Sequence, residues 1–208
     1  MTVREFPRIS LVVALAGAAI GLAHGTAAAQ DGPFAGTTIE LAAHGGYVFF
    51  DEGGTRPALG GRAGIRLASG LGFGAAVDRT TREFELGDET DHGEALLWAG
   101  EVSYVIPSAT RANFFGSIGY GRARYEPSDL EESLGGESED HMLIPLALGM
   151  LWYNHGGDPW WGLRAEFRDH IVHIDAIEDS GADDATTNNY QLSFGLIFLL
   201  GAGPQPVD

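Results

Sequence analysis

The chain runs to 208 residues, room for one domain, and sets 29 Asp and Glu against 12 Arg and no Lys, for a formal net charge of −17. The twelve cations are scattered rather than clustered, so a nucleic acid would be repelled and is excluded as a partner. There is no cysteine, which rules out a disulfide framework and a thiolate metal site, and 31 Gly with only 20% charged residues suits a β-architecture better than packed helices.

The amino terminus reads as an address. Arg4 and Arg8 precede an apolar run from Leu11 to Ala23, and Thr26-Ala27-Ala28-Ala29-Gln30 then offers the small residues that signal peptidase accepts. Those 13 apolar residues fall short of the roughly 20 that a membrane-spanning helix needs. Residues 1–29 are therefore expected to be a cleaved signal peptide, with 30–36 as a short lead, 37–201 as the folded body and 202–208 as a tail.

From residue 37 onward the sequence alternates with period two between turn signals, the signature of strands. Eight segments are expected, at 37–50, 59–68, 70–79, 94–107, 111–125, 141–154, 160–174 and 188–201. Most reach the 9 to 11 residues, about, that a tilted strand needs to cross a bilayer. The connections sort by length: 68–70, 107–110 and 154–159 are short, 80–93, 126–140 and 175–187 are long, and the intermediate 51–58 falls in the place of the long set. Tight turns at one end and larger loops at the other are the asymmetry of outer-membrane barrels, and an even strand count then puts both termini in the periplasm.

The two faces of each segment differ in kind. In 188–201, Tyr190, Leu192, Phe194, Leu196, Phe198 and Leu200 oppose Asn189, Gln191, Ser193 and Gly195; in 160–174, Leu163, Ala165 and Phe167 oppose Arg164, Glu166 and Arg168. A soluble barrel also alternates, so the apolar face alone does not say whether it looks at a core or at lipid. The other face does: it is largely Gly, Ala and Ser (Gly64, Gly72, Gly74, Ala76, Gly119, Gly121, Ala147, Gly149), as a crowded lumen of about eight strands requires. Tyr47, Trp98, Tyr104, Trp152, Trp160 and Trp161 near segment ends suit interfacial aromatic girdles. The expected fold is an all-β, antiparallel, up-and-down transmembrane β-barrel of eight strands, with a soluble lipocalin-like barrel as the alternative.

This pattern, with stretches such as Trp161-Gly-Leu-Arg-Ala-Glu-Phe-Arg-Asp169 and Tyr190-Gln-Leu-Ser-Phe-Gly-Leu-Ile-Phe198, resembles the small outer-membrane β-barrels of the OmpA transmembrane-domain and OmpX type. The resemblance implies location in the outer membrane, contact with its lipid and lipopolysaccharide, and handling by the outer-membrane assembly machinery. Such proteins usually end on an aromatic residue of the last strand, whereas here Phe198 is followed by ten further residues.

Chemistry is harder to find. Gly70-Leu-Gly-Phe-Gly74 lacks the strand-to-helix context and the Lys of a phosphate loop. His170 and His173, three apart on a strand, point to opposite faces and do not share a metal, and they are read as solvated residues near the outer rim; His92, His141 and His155 are placed in or beside connections. No catalytic, cofactor or metal residues are assigned. The expected role is structural or surface-interacting, against a lipid A-modifying enzyme, a small pore or a soluble carrier. Parity puts Glu40, Asp78, Glu101 and Glu166 on the inner face with Arg62, Arg66, Arg164 and Arg168, so a lumen plugged by four acids paired with four bases is expected. Seventeen of the 29 acids fall in three loops: Glu83, Glu85, Asp88, Glu89 and Asp91; Glu126, Asp129, Glu131, Glu132, Glu137, Glu139 and Asp140; Asp175, Glu178, Asp179, Asp183 and Asp184. They predict an acidic outer surface that attracts divalent cations weakly, without a dedicated site.

Overall fold

The computed structural model describes residues 36–50, 54–86, 89–106, 112–128, 132–133, 137–154, 160–174 and 185–201. The expected signal peptide, most of the lead and the tail lie outside the described residues. Eight strands follow one another: β1 (Thr38–Phe50), β2 (Gly54–Arg66), β3 (Leu71–Leu86), β4 (Glu89–Ile106), β5 (Ala112–Glu126), β6 (Glu139–Tyr153), β7 (Trp161–Ile174) and β8 (Ala185–Gly201). Each pairs antiparallel with the next, and β8 closes on β1 through pairs from Thr38↔Gly201 to Phe49↔Tyr190. Closure leaves no sheet edge along the wall, so the backbone hydrogen bonds are satisfied without water. The expected up-and-down barrel of eight strands is the observed one.

The start of β1, the end of β8 and the turns after β2, β4 and β6 share one end, called here the terminal end; the opposite end is the loop end. The β2–β3 turn at the terminal end is tight. Gly70 takes a positive φ of 86°, open to a residue without Cβ, and its N–H donates to the Leu67 carbonyl at 2.9 Å.

The segment 80–93, expected to be a long loop, is mostly strand. β3 and β4 pair with each other up to Leu86↔Glu89, while β2 follows β3 only as far as Ala58↔Thr80 and β5 follows β4 only from Glu126↔Glu94. Residues 81–86 and 89–93 thus form a two-stranded ribbon extending past the barrel wall. In sequence this stretch looks like a loop, because acids interleave with its apolar positions Phe84 and Leu86. β2 likewise starts at Gly54, five residues before the expected 59.

Burial follows parity with few exceptions. Of the described residues, 26 large apolar or aromatic side chains are exposed, on the outward face, against 17 buried hydrophobic residues, six of them Ala. Removing one such side chain from water is worth about 1.5–3 kcal/mol. Twenty-six of them, even half exposed, outweigh the roughly 5–15 kcal/mol net stability of a domain. The wall therefore needs an apolar medium, and the lipocalin-like alternative, which places its apolar face inward, does not describe it.

Candidate functional site

The inward face is layered. At the terminal end Val105, Phe115, Leu151, Tyr153, Ile197 and Leu199 form a buried apolar cluster. At the loop end Ala95, Leu97, Ala123, Tyr125, Leu143 and Val172 form a second, with Phe50 and Ile174 packed against it. Polar side chains fill the space between. The narrow bore makes this possible: a Cβ on Gly149 would enter the Phe115 ring, and one on Gly60 would collide with His44 and Asp78.

All eight residues assigned by parity face this interior. Arg66 and Glu40 form a bidentate pair near the terminal end, with Arg66 Nη2 donating to Glu40 Oε2 at 2.7 Å, and Arg66 Nη1 also donates to the Gly70 carbonyl at 3.0 Å. The middle is one network rather than separate pairs. Glu166 accepts from Arg164 (Nε, 2.8 Å) and Arg168 (Nε, 2.7 Å) on its own strand and from Arg62 across the lumen at 3.3 Å. Glu101 joins it, 3.0 Å from Arg62 Nη2 and 2.6 Å from Arg168 Nη1. The Arg164 guanidinium lies 3.8 Å from the Phe115 ring centroid, tying the network to the apolar cluster below.

Asp78 departs from the expected pairing of four acids with four bases. Its Oδ1 meets His44 Nε2 at 2.6 Å and accepts from Gln191 Nε2 at 2.9 Å, and the Gln191 carbonyl in turn meets His170 Nε2 at 2.7 Å. His170 is fully buried, not a solvated rim residue. The reason is one of register: His170 continues the inward series Arg164, Glu166, Arg168, while His173 falls on the outward series. The parity that places the charges inward places His44, Gln191 and His170 there as well, a signal carried by the alternation of β1, β7 and β8. His141 also turns inward, 3.1 Å from Glu139 Oε2, and His92 lies within β4 rather than in a connection; His155 lies outside the described residues.

The outward face carries polar groups only above the apolar band. Asp169 is buried there, its two oxygens accepting from Asn188 Nδ2 at 2.9 and 3.1 Å. His173 Nδ1 and Thr186 Oγ1 are 3.4 Å apart. Arg79 on β3 and Arg124 on β5 flank Leu96 of β4 in one row of paired residues, with Arg79 paired to Glu94 and Arg124 3.6 Å from Glu126, and Arg122 stands one outward position nearer the terminal end, opposite Trp98. Trp152 and Trp161 make an edge-on pair at 6.4 Å near the terminal end, where Trp160 stacks on Phe198 at 6.1 Å. No group of three or more His, Asp or Glu among the described residues could hold a metal ion. The lumen network thus joins side chains of β2, β4 and β7 through Arg62, Glu101, Arg164, Glu166 and Arg168.

No protein-family model matches the chain, and no curated protein does. Among solved structures, Neisserial surface protein A matches with a TM-score of 0.53 and 14% identity, over 79% of this chain and 97% of that one. The N-terminal β-barrel domain of Pseudomonas aeruginosa OprF matches with 0.49 and 12%, over 82% and 100%, and Ail, the attachment invasion locus protein of Yersinia pestis, with 0.44 and 16%, over 78% and 97%. At these identities the likeness is one of architecture, and the chain has the fold of the small eight-stranded β-barrels to which Neisserial surface protein A belongs.

Proposed function

We propose that this protein resides in an outer membrane with both termini periplasmic, and has a structural or surface-interaction role without catalysis. The observation that carries the reading is the outward face. An exposed band of Leu, Ile, Val and Phe is bounded by aromatic rings at both ends, and charges appear on it only toward the loop end. The terminal end, where the connections are short in sequence, faces the periplasm. Arg79, Arg122 and Arg124, toward the loop end, then fall among outer-leaflet headgroups, and lipopolysaccharide is the lipid partner. Phe198, outward on β8 close to the terminal end, is the aromatic that the assembly machinery reads despite the tail beyond it.

The lumen is plugged: two apolar clusters bracket the charge network, and Glu166 and Arg168 are both about 4% exposed or less. The acids Glu126, Glu132, Glu137, Glu139 and Asp140 at the loop end draw calcium or magnesium diffusely and bridge the surface to anionic headgroups; residues 175–184 lie outside the described residues. The test is threefold. The protein fractionates with the outer membrane, migrates differently on gels before and after boiling, and gives no large steady conductance in planar bilayers. Soluble behaviour overturns the membrane reading, and a porin-like conductance overturns the plug.

A further inference from the structure

The apolar wall is not uniformly convex. Across β6, β7, β8 and β1 it holds a groove of about 740 Å³, lined by eleven residues and open to the outside of the barrel. The register explains it. In one row of paired residues Phe194 stands between Ala165 and Gly45, and in the row next to it Trp152 begins a line that runs through Leu196 to Ala43. Small residues at Ala165, Gly45 and Ala43 leave a floor at backbone level beside tall Phe194 and Leu196. His44 and Arg164 border the groove but point their side chains at Asp78 and Glu166 in the lumen, so the surface offered outward is hydrocarbon.

The direction of the groove matters as much as its composition. Trp152 lies one residue from the end of β6, beside Trp161 in the terminal-end girdle, whereas Ala43 lies five residues into β1. The groove therefore starts at that girdle and climbs obliquely into the middle of the band. Resting on the membrane orientation proposed above, we propose that it seats one acyl chain of a phospholipid from the periplasmic leaflet, held longer than the lipid around it. A chain anchored by its headgroup at the girdle enters at the Trp152 end and runs toward Ala43. A second copy of the barrel is a poorer occupant. The slot is concave, and the convex wall of another barrel does not enter it.

The experiment uses the full chain folded into vesicles of phosphatidylethanolamine and phosphatidylglycerol doped with lipid A, extracted in mild detergent and weighed by native mass spectrometry. Heat-modifiable migration is recorded on the same samples. The wild type is expected to retain one phospholipid. Ala165→Phe, which fills the floor, loses at least nine-tenths of that retention while keeping heat-modifiable migration. Val102→Phe, on the outward face of β4 away from the groove, keeps it. Equal retention by Ala165→Phe and the wild type, retention of lipid A instead, or a dimer that Ala165→Phe breaks would each overturn the proposal. A wild type that inserts and shows heat-modifiable migration yet retains no lipid overturns the groove alone. One that fails to insert overturns the membrane reading on which the groove rests.

Discussion

Along β7, Arg164, Glu166 and Arg168 alternate with Leu163, Ala165 and Phe167, and the two sets occupy different media on one backbone. The inward set is buried and needs partners; the outward set is exposed and needs a solvent without hydrogen bonds. The difference shows that a charge is tolerated in this molecule by what surrounds it, not by how deep it lies. Arg168 on the inner face has two carboxylates within 2.6 Å, while the one carboxylate on the outward face of the same strand, Asp169, is covered and held by Asn188.

The comparison is broken most forcefully at Glu166. Its two oxygens serve Arg164, Arg168 and Arg62, so Glu166→Gln leaves Arg62 and Arg168 sharing Glu101 and takes from buried Arg164 the carboxylate it pairs with. A loss of about 3–5 kcal/mol is expected, the range for removing one member of a buried ionic group. Urea unfolding of the barrel in lipid vesicles measures it, and a loss below about 1 kcal/mol would mean that water reaches the network. The mirror experiment puts a charge on the other face. Leu196→Arg, in the apolar band and without an acid in its row of paired residues, is expected to cost about 2–4 kcal/mol and to lower accumulation in the outer membrane. Normal accumulation and unchanged unfolding would argue that this face does not meet lipid.

A smaller effect is expected where the inward partners of an acid are His and Gln rather than Arg. Asp78→Ala strips His44 and Gln191 of their shared acceptor, and the penalty for leaving buried donors unpaired is about 1–3 kcal/mol. The variant Asp78→Asn, which keeps one acceptor oxygen, should recover most of that loss. If both variants unfold alike, the His44–Asp78–Gln191 chain contributes through packing alone.

How much of this was legible follows from the same face-by-face logic. Period two is a property of local sequence, so strand number, closure and the inward placement of Glu40, Arg62, Arg66, Asp78, Glu101, Arg164, Glu166 and Arg168 could be read from residues alone. Which inward residues meet is set by interstrand register and by the shortness of the path across the lumen, neither of which a single chain declares. Glu166 therefore reaches Arg62, 104 positions away, and Asp78 reaches Gln191 rather than an Arg. Strand ends are harder to read where the alternation carries charge: along the β3–β4 ribbon acids interleave with Phe84 and Leu86, and the sequence looks like a loop although the backbone pairs as far as Leu86↔Glu89. The groove was invisible for a third reason. Ala43, Gly45 and Ala165 are unremarkable singly and become a floor only when register lays them near one another on adjacent strands.

The least effect is expected at Arg79, and it sharpens the comparison because the chemistry is the same as in the lumen. Arg79 Nη2 pairs with Glu94 across β3 and β4, yet both side chains are about half exposed or more, 66% and 49%. Solvent and salt screen such a pair, and fixing two long side chains opposes whatever attraction is left. Arg79→Ala should therefore leave the urea midpoint unchanged within error, at low and at high salt alike, in the vesicles where Glu166→Gln is strongly destabilised. The two variants remove one member each of an Arg–Glu contact on the same barrel, so a difference between them isolates the medium. A salt-dependent loss at Arg79 would show that this level of the wall is drier than its exposure implies, and would move the edge of the apolar band above Arg79.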